Sequence, residues 1–271
     1  MPRSPAAFLS VLLASACSAQ TPEQNTACSM DALPYICEAL NHPERTPGDL
    51  KNDARRKPVE TLSFAGLQPG MVVLELEAGR GYYCEILSRA VGPEGEVIAV
   101  NPSVLAPFFK DDLVKRIRSR NLRNIRVDSS NFDAFKAEPN SVDLATWIQG
   151  LHEIWFEPQP GVTSGNPDAA FRRIFASLKP GSSLIVIDHD APVGFGVSAG
   201  QSLHCIEESI VVDHALRAGF VLDAEADFLA RPDDDPTKPS FNRAVRGKTS
   251  QFVLRFTKPQ LARDLNEDPS Q

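Results

Sequence analysis

The feature that most constrains the fold is the run Met71-Val72-Val73-Leu74-Glu75-Leu76, followed by the turn Glu77-Ala78-Gly79-Arg80-Gly81 and then a helix-period pattern. A strand that is apolar along almost its whole length is buried on both faces, as strands of a parallel sheet are. After the turn, Tyr83, Ile86, Leu87, Ala90 and Val91 follow the i, i+3, i+4, i+7, i+8 spacing of an amphipathic helix. Strand, tight glycine turn and helix begin an α/β sheet.

The alternation continues down the chain. Residues 96–100 read as a strand, 108–119 as a helix, 125–127 and 141–148 as strands. Asn166-Pro167 opens a helix with a capping side chain before a proline in the first turn. Lys179-Pro180-Gly181 closes it, and residues 183–188 form a strand, 207–218 a helix, and 220–228 and 251–257 the last two strands. In the final strand Phe252, Leu254 and Phe256 are expected inward and Val253, Arg255 and Thr257 outward, as on a half-covered antiparallel strand. The reading is a mostly parallel seven-stranded α/β sheet with helices on both faces and an antiparallel last strand.

Composition excludes some partners. With 28 Lys+Arg against 35 Asp+Glu, the 271-residue chain carries a formal charge of -7. That balance lacks the basic face of a general nucleic-acid binder, so none is expected. No apolar run reaches the roughly 18 residues of a membrane span. Residues 1–19 read as a signal peptide: Arg3, an apolar stretch from Ala6 to Ala16, then small residues. Two cleavage readings stay open. Ala14-Ser15-Ala16-Cys17 resembles a bacterial lipobox, which would lipidate Cys17 and attach the chain to a membrane; Cys17-Ser18-Ala19 allows cleavage before Gln20. Either implies export to the periplasm or cell envelope. Residues 20–57 are expected to form an N-terminal arm with short helices, 58–258 the main domain, and 259–271 a disordered tail. Cys28 and Cys37 are placed to staple the arm, while Cys84 and Cys205 either pair or stay free.

In an open α/β sheet, ligands bind beyond the carboxyl ends of the strands. There the acidic residue Glu75 and the turn through Gly79 and Gly81 resemble the first motif of class I S-adenosylmethionine-dependent methyltransferases. Leu178-Lys179-Pro180-Gly181 before Leu184-Ile185-Val186-Ile187-Asp188, and Ser141-Val142-Asp143-Leu144, also resemble that family. More narrowly, the chain resembles a group of exported, predicted methyltransferases of bacteria. This rests on Arg56-Lys57-Pro58, Gly79-Arg80-Gly81-Tyr82-Tyr83, Leu151-His152-Glu153, Asp188-His189, Leu203-His204 and Arg246-Gly247-Lys248-Thr249, and it spans about residues 42–258. The resemblance implies a Rossmann-like fold and S-adenosylmethionine as cofactor. Glu75, Glu77, Gly79 and Gly81 would cradle its methionine part, Asn101 the ribose, and Ser130 or Asn131 the adenine edge. Three positions depart from the family. Glu77 stands where the common motif has its first glycine, Asn101 replaces the ribose-binding acid, and Ser129-Ser130-Asn131 replaces a glycine–acid pair. An amide accepts a hydrogen bond more weakly than a carboxylate. Either cofactor binding is rebuilt locally or the site has been repurposed.

The chemistry-bearing residues are three histidines at strand ends. His152 follows the fourth strand, His189 the fifth, and His204 precedes the next helix, so all three are expected at one sheet edge with Glu153, Asp188 and Asp190. A neutral imidazole there removes a proton from a hydroxyl or amine, and His152 is the first choice. The leading reading is methyl transfer to a small-molecule acceptor, without metal. The alternatives are a protein of this fold that has lost the cofactor and uses the histidine cluster as a metal-assisted hydrolase or lyase, and a non-catalytic envelope binding protein. The long connection from Asp233 to Thr249 is either a solvated loop or a lid over the site.

Overall fold

The computed structural model describes Cys28 and residues 33–260. The expected signal peptide, Cys17 and the tail from residue 261 lie outside the described residues. Three short helices come first: α1 (Pro34–Leu40), α2 (Pro47–Arg56) and α3 (Pro58–Phe64). Each begins with proline, whose missing N–H has no partner to lose in a first turn. Thr46 and Asp49 form a reciprocal capping box on α2. A disulfide joins Cys28 to Cys37 in α1.

Then follow β1 (Val72–Leu76), α4 (Tyr82–Val91), β2 (Glu96–Val100), α5 (Ala106–Phe109), α6 (Asp112–Ser119), β3 (Ile125–Asp128) and β4 (Val142–Ile148). The chain ends with α7 (Pro167–Ser177), β5 (Leu178–His189), α8 (Ser198–Ser202), α9 (Glu208–Ala218), β6 (Val221–Ala226) and β7 (Gln251–Thr257). Asn166 caps α7 as its sequence requires, accepting from the Ala169 N–H. The helix expected over 108–119 is broken in two, because Lys110 takes a left-handed φ of 52° between α5 and α6.

The seven strands run in the order β3-β2-β1-β4-β5-β7-β6. Strands β1 to β5 pair in parallel, and β7 runs antiparallel between β5 and β6. That insertion corrects the expectation for β7. Val253 is 1 % exposed, so both faces of β7 are covered and the half-covered strand is the edge strand β6. Alternate residues of the central strands feed two cores. One gathers Leu74, Leu76, Trp147, Phe171 and Phe256 under α7 and α9. The other gathers Val73, Leu144 and Ile185 with Ile86 of α4 and Ile36 and Leu40 of α1, so the N-terminal helices are part of the packed body. Cys84 and Cys205 are both buried and free, in separate clusters.

Candidate active site

The chain turns back on itself between β1 and β4, where the strand order reverses, and the crevice beyond their carboxyl ends is the expected ligand site. A cavity of about 480 Å³ lies there, lined by Glu75 in β1, Glu77 and Gly79 after it, His189 at the end of β5, Tyr83 of α4 and Arg56 of α2. That volume suits a small ligand. A roomier cleft of about 740 Å³ lies at the amino ends of β2 and β3, lined by Ser88, Arg120 and Asn124. It is away from the strand-end groups Glu75, Gly79 and His189, whereas the smaller cavity lies at the switch point.

Gly79 and Gly81 take φ of 55° and 82°, values that favour glycine. A Cβ on Gly81 would lie 2.8 Å from Leu113 of α6, so this glycine also serves packing. Asn101 is committed to the turn. Its Nδ2 donates to the Gly79 carbonyl at 3.0 Å and its Oδ1 accepts from the Gly79 N–H at 3.2 Å. The ring of Phe109 in α5 lies against Gly79 as well. Ser130 and Asn131 stand apart from the cavity. The Ser130 N–H donates to buried Asp128, and Asn131 lines a different cleft near Trp155. Asp128, which also accepts from the Lys136 N–H, organises this loop. Its signal was an acid at a strand end.

The acids beside the turn are unusual in being incompletely bonded. Glu75 is bonded to Cys84, yet its Oε2, like that of Glu77, is buried with no partner among the described residues. Burial pushes Glu75 up to about 7. Glu77 has a left-handed φ of 55°, and its side chain fills the space where Gly150 lacks a Cβ. Burial, then the charge of Glu153, lifts its carboxyl well above the usual carboxylate range.

The histidines do meet at this edge, with ring centres 6.1 Å (His152–His189) and 5.6 Å (His152–His204) apart. Their roles divide. His152, in a 3-10 turn over residues 151–155, is flanked by acids: Nδ1 is 2.7 Å from Asp188 Oδ1 and Nε2 is 3.3 Å from Glu153 Oε1. Burial works against its charge, but Asp188 and Glu153 outweigh it and hold the imidazole well above its ordinary pKa. The acids on either side therefore favour a proton on this ring, unlike the environment of His189. Glu153 is pushed up by burial, yet His152 and His204 hold it down at about 2. His189 is shifted the other way: burial lowers it to about 4 against the pull of Asp188. It lines the cavity, and its Nδ1 lies 2.8 Å from Thr249 Oγ1. His42 and His214 lie elsewhere, the latter 2.7 Å from Asp168.

Sequence reasoning did not anticipate the wall contributed by α2. Arg56 stacks over Tyr82 (4.8 Å) and Tyr83 (5.7 Å), while Arg55 and Arg246 stand at the rim. The connection between β6 and β7 covers the cavity: Arg231, Ser240, Arg246 and Thr249 line it, and a Cβ on Gly247 would collide with Arg55. The connection therefore lies against the cavity rather than wholly in solvent.

Fold and crevice together define a class I methyltransferase-like α/β protein. Residues 67–218 match a family described as "Methyltransferase domain", more than half of the chain, and the chain belongs to that family. It is 31 % identical over 138 residues to the ubiquinone/menaquinone biosynthesis C-methyltransferase UbiE of Pasteurella multocida. That match covers 49 % of this chain and 45 % of the relative, so the chain spans about half the length of the curated relatives it matches. A SAM dependent methyltransferase from Aquifex aeolicus superposes with a TM-score of 0.55 at 18 % identity, over 79 % of this chain and all of that one. The [4+2]-cyclase SpnF superposes with a TM-score of 0.57 at 17 % identity, over 81 % of this chain and 86 % of that one. At such identities the likeness is one of fold, and the fold alone does not choose a reaction.

S-adenosylmethionine is the cofactor that the family implies. The residues present fit its methionine end: an unpartnered buried Glu75 oxygen faces a cationic ammonium's need for an acceptor, beside a glycine turn on the same cavity. At the nucleoside end they fit less well, since Asn101 is bonded to Gly79 and Phe109 packs on the turn.

Proposed function

We propose that this protein, a methyltransferase by family, transfers a methyl group from S-adenosylmethionine to a small acceptor held in the cavity under the β6–β7 connection. The observation that carries this reading is the cavity's make-up: the β1 turn, with an unpartnered oxygen on each of Glu75 and Glu77 among the described residues, and the neutral His189 line one space. The cofactor supplies an electrophilic methyl group, and the protein's task is chiefly alignment. His189 accepts a hydrogen bond from the acceptor's hydroxyl or amine, while Thr249 fixes the ring from its other nitrogen. Arg55, Arg56 and Arg246 make the rim cationic, which favours an acceptor bearing a carboxylate or phosphate.

Calorimetric titration with S-adenosylmethionine and S-adenosylhomocysteine tests the reading. Micromolar binding that Gly79→Trp abolishes supports it; absence of binding at millimolar ligand to folded protein rejects it in favour of a cofactor-free use of the histidine edge. Moving Phe109 off Gly79 is expected to open the nucleoside end, so Phe109→Ala should tighten cofactor binding several-fold.

We further infer that the chain is exported, and that it belongs with exported methyltransferase-like proteins of bacteria. The support is the order of Arg3, the apolar stretch and the small residues before Gln20, together with the Cys28–Cys37 disulfide, a bond that persists in oxidising compartments. Mass spectrometry of the mature N-terminus distinguishes a lipidated Cys17 from cleavage before Gln20.

A further inference from the structure

We propose that His152, Glu153 and His204 form a binding site for a divalent transition metal, with zinc the best match to the donors. Glu153 Oε1 lies 3.3 Å from His152 Nε2 and 2.9 Å from His204 Nδ1. All three donor atoms fall within 4.8 Å of one another. Two imidazole nitrogens and one carboxylate oxygen are a donor set for zinc and its neighbours, and three protein ligands leave a coordination position open. With metal–ligand bonds of about 2.0–2.2 Å, tetrahedral donors stand roughly 3.5 Å apart, so little movement is needed.

What stands behind the donors points the same way. The other nitrogen of His152 is 2.7 Å from Asp188 Oδ1. Asp188 is fully buried and is itself fixed by the backbone N–H groups of His152 and His189, each at 2.8 Å. A carboxylate on the far nitrogen is what sets the tautomer and direction of a metal-binding imidazole. Beside the cluster, against Gly150 at the start of the 151–155 turn, the buried Glu77 Oε2 has no partner among the described residues. The rings of Phe156 and Phe241 enclose His204 at 4.9 and 5.0 Å, while the side chains of Glu153 and His204 keep 16 % and 18 % exposure. An ion therefore has an entry on a mostly dry site. His189 is not a ligand in this arrangement, being held by Thr249 on the cavity side.

The site stands independently of methyl transfer, and its test uses no cofactor. Full-length, tag-free protein stripped with chelator is titrated with zinc by calorimetry and with cobalt by visible absorption. One equivalent of zinc binding at micromolar affinity or tighter is expected, with a cobalt spectrum of four- or five-coordinate character. His204→Ala and Glu153→Gln should each weaken zinc by at least about 100-fold, and Asp188→Asn by about 10–100-fold. His214→Ala, on α9 and outside the cluster, should leave it unchanged. Circular dichroism melts identify variants that fold, and His204→Gln replaces His204→Ala if the latter does not. Absence of saturable binding, or equal affinity in folded Glu153→Gln and His204 variants, overturns the proposal. Cofactor titration on the same protein can succeed or fail separately.

Discussion

Two buried polar clusters sit on neighbouring parts of this molecule and are built in opposite ways. Around α2, α4 and α6, arginines and acids pair completely. Arg45 makes a bidentate bridge to Asp53 at 2.7 Å on each arm, and Tyr82 adds its hydroxyl at 2.6 Å. Arg116 links Asp49 to Glu85, and Arg120 and Arg89 complete the shell of Glu85, whose side chain is fully buried. At the sheet edge, Glu75, Glu77, Glu153 and Asp188 gather around His152, and two carboxyl oxygens have no partner among the described residues. Both clusters are expensive to desolvate. Only the first satisfies itself. A scaffold completes its own hydrogen bonds, whereas a site leaves some for a ligand to complete.

The largest effect should come from breaking the complete cluster. Glu85→Ala removes the fully buried acceptor shared by Arg89, Arg116 and Arg120 and should lower stability by about 3–5 kcal/mol in urea denaturation. A loss under about 1 kcal/mol would mean that the two clusters do not differ in structural importance.

Next in size is a contrast in pH dependence. Glu75 rises from 4.5 to about 7 on folding because it is buried, so the folded state holds its proton more tightly than the unfolded chain. Its contribution is fullest below pH 4.5 and declines as pH rises to about 7, by an amount on the order of 3 kcal/mol. Asp49 behaves oppositely. Burial raises it, but the hydrogen bonds from Arg116 and Thr46 prevail and hold it at about 2, below its ordinary 3.8. It stabilises above pH 3.8 and that support is lost as pH falls through about 2. Urea titrations at stepped pH should show Glu75→Gln removing the decline between pH 4.5 and 7, and Asp49→Asn softening the acid limb. The same limb flattened by both variants would erase the distinction.

The sequence made the scaffold of the edge readable for a definite reason. Strand-end residues of a parallel sheet share one edge, so locating the strands was enough to bring His152, His189 and His204 together. The opposite shifts of His152 and His189 were not readable, because they depend on Asp188 and Glu153 facing His152 and on burial of His189. Likewise the alternation in β7 is real, but its neighbours β5 and β6 are set by a chain reversal that leaves no local pattern. Lys110 breaks the helix expected at 108–119 through a backbone angle that periodicity does not encode. The arginines of α2 reach the cavity only through tertiary packing. The resemblance nonetheless touched the wall twice, at Arg56-Lys57-Pro58 and at Arg246-Gly247-Lys248-Thr249.

The smallest expected change in stability is also the one whose sign matters most. Glu77 holds a left-handed backbone angle that suits glycine and buries a carboxyl oxygen without a partner among the described residues. Relief of that angle is worth about 1–2 kcal/mol, and removal of an unsatisfied buried group about 1–3. Part of this is offset by the extra freedom glycine gains in the unfolded chain, about 0.5–1 kcal/mol. Glu77→Gly should therefore raise stability by about 1 kcal/mol or somewhat more, measured by urea denaturation, while restoring the residue that the methyltransferase motif has at this place. If the variant also binds S-adenosylmethionine more tightly yet turns over acceptor more slowly, Glu77 is retained for what it does to the ligand. If it is less stable than the parent by a similar margin, Glu77 belongs with Glu85 as scaffold, and an unpartnered oxygen has ceased to mark the site.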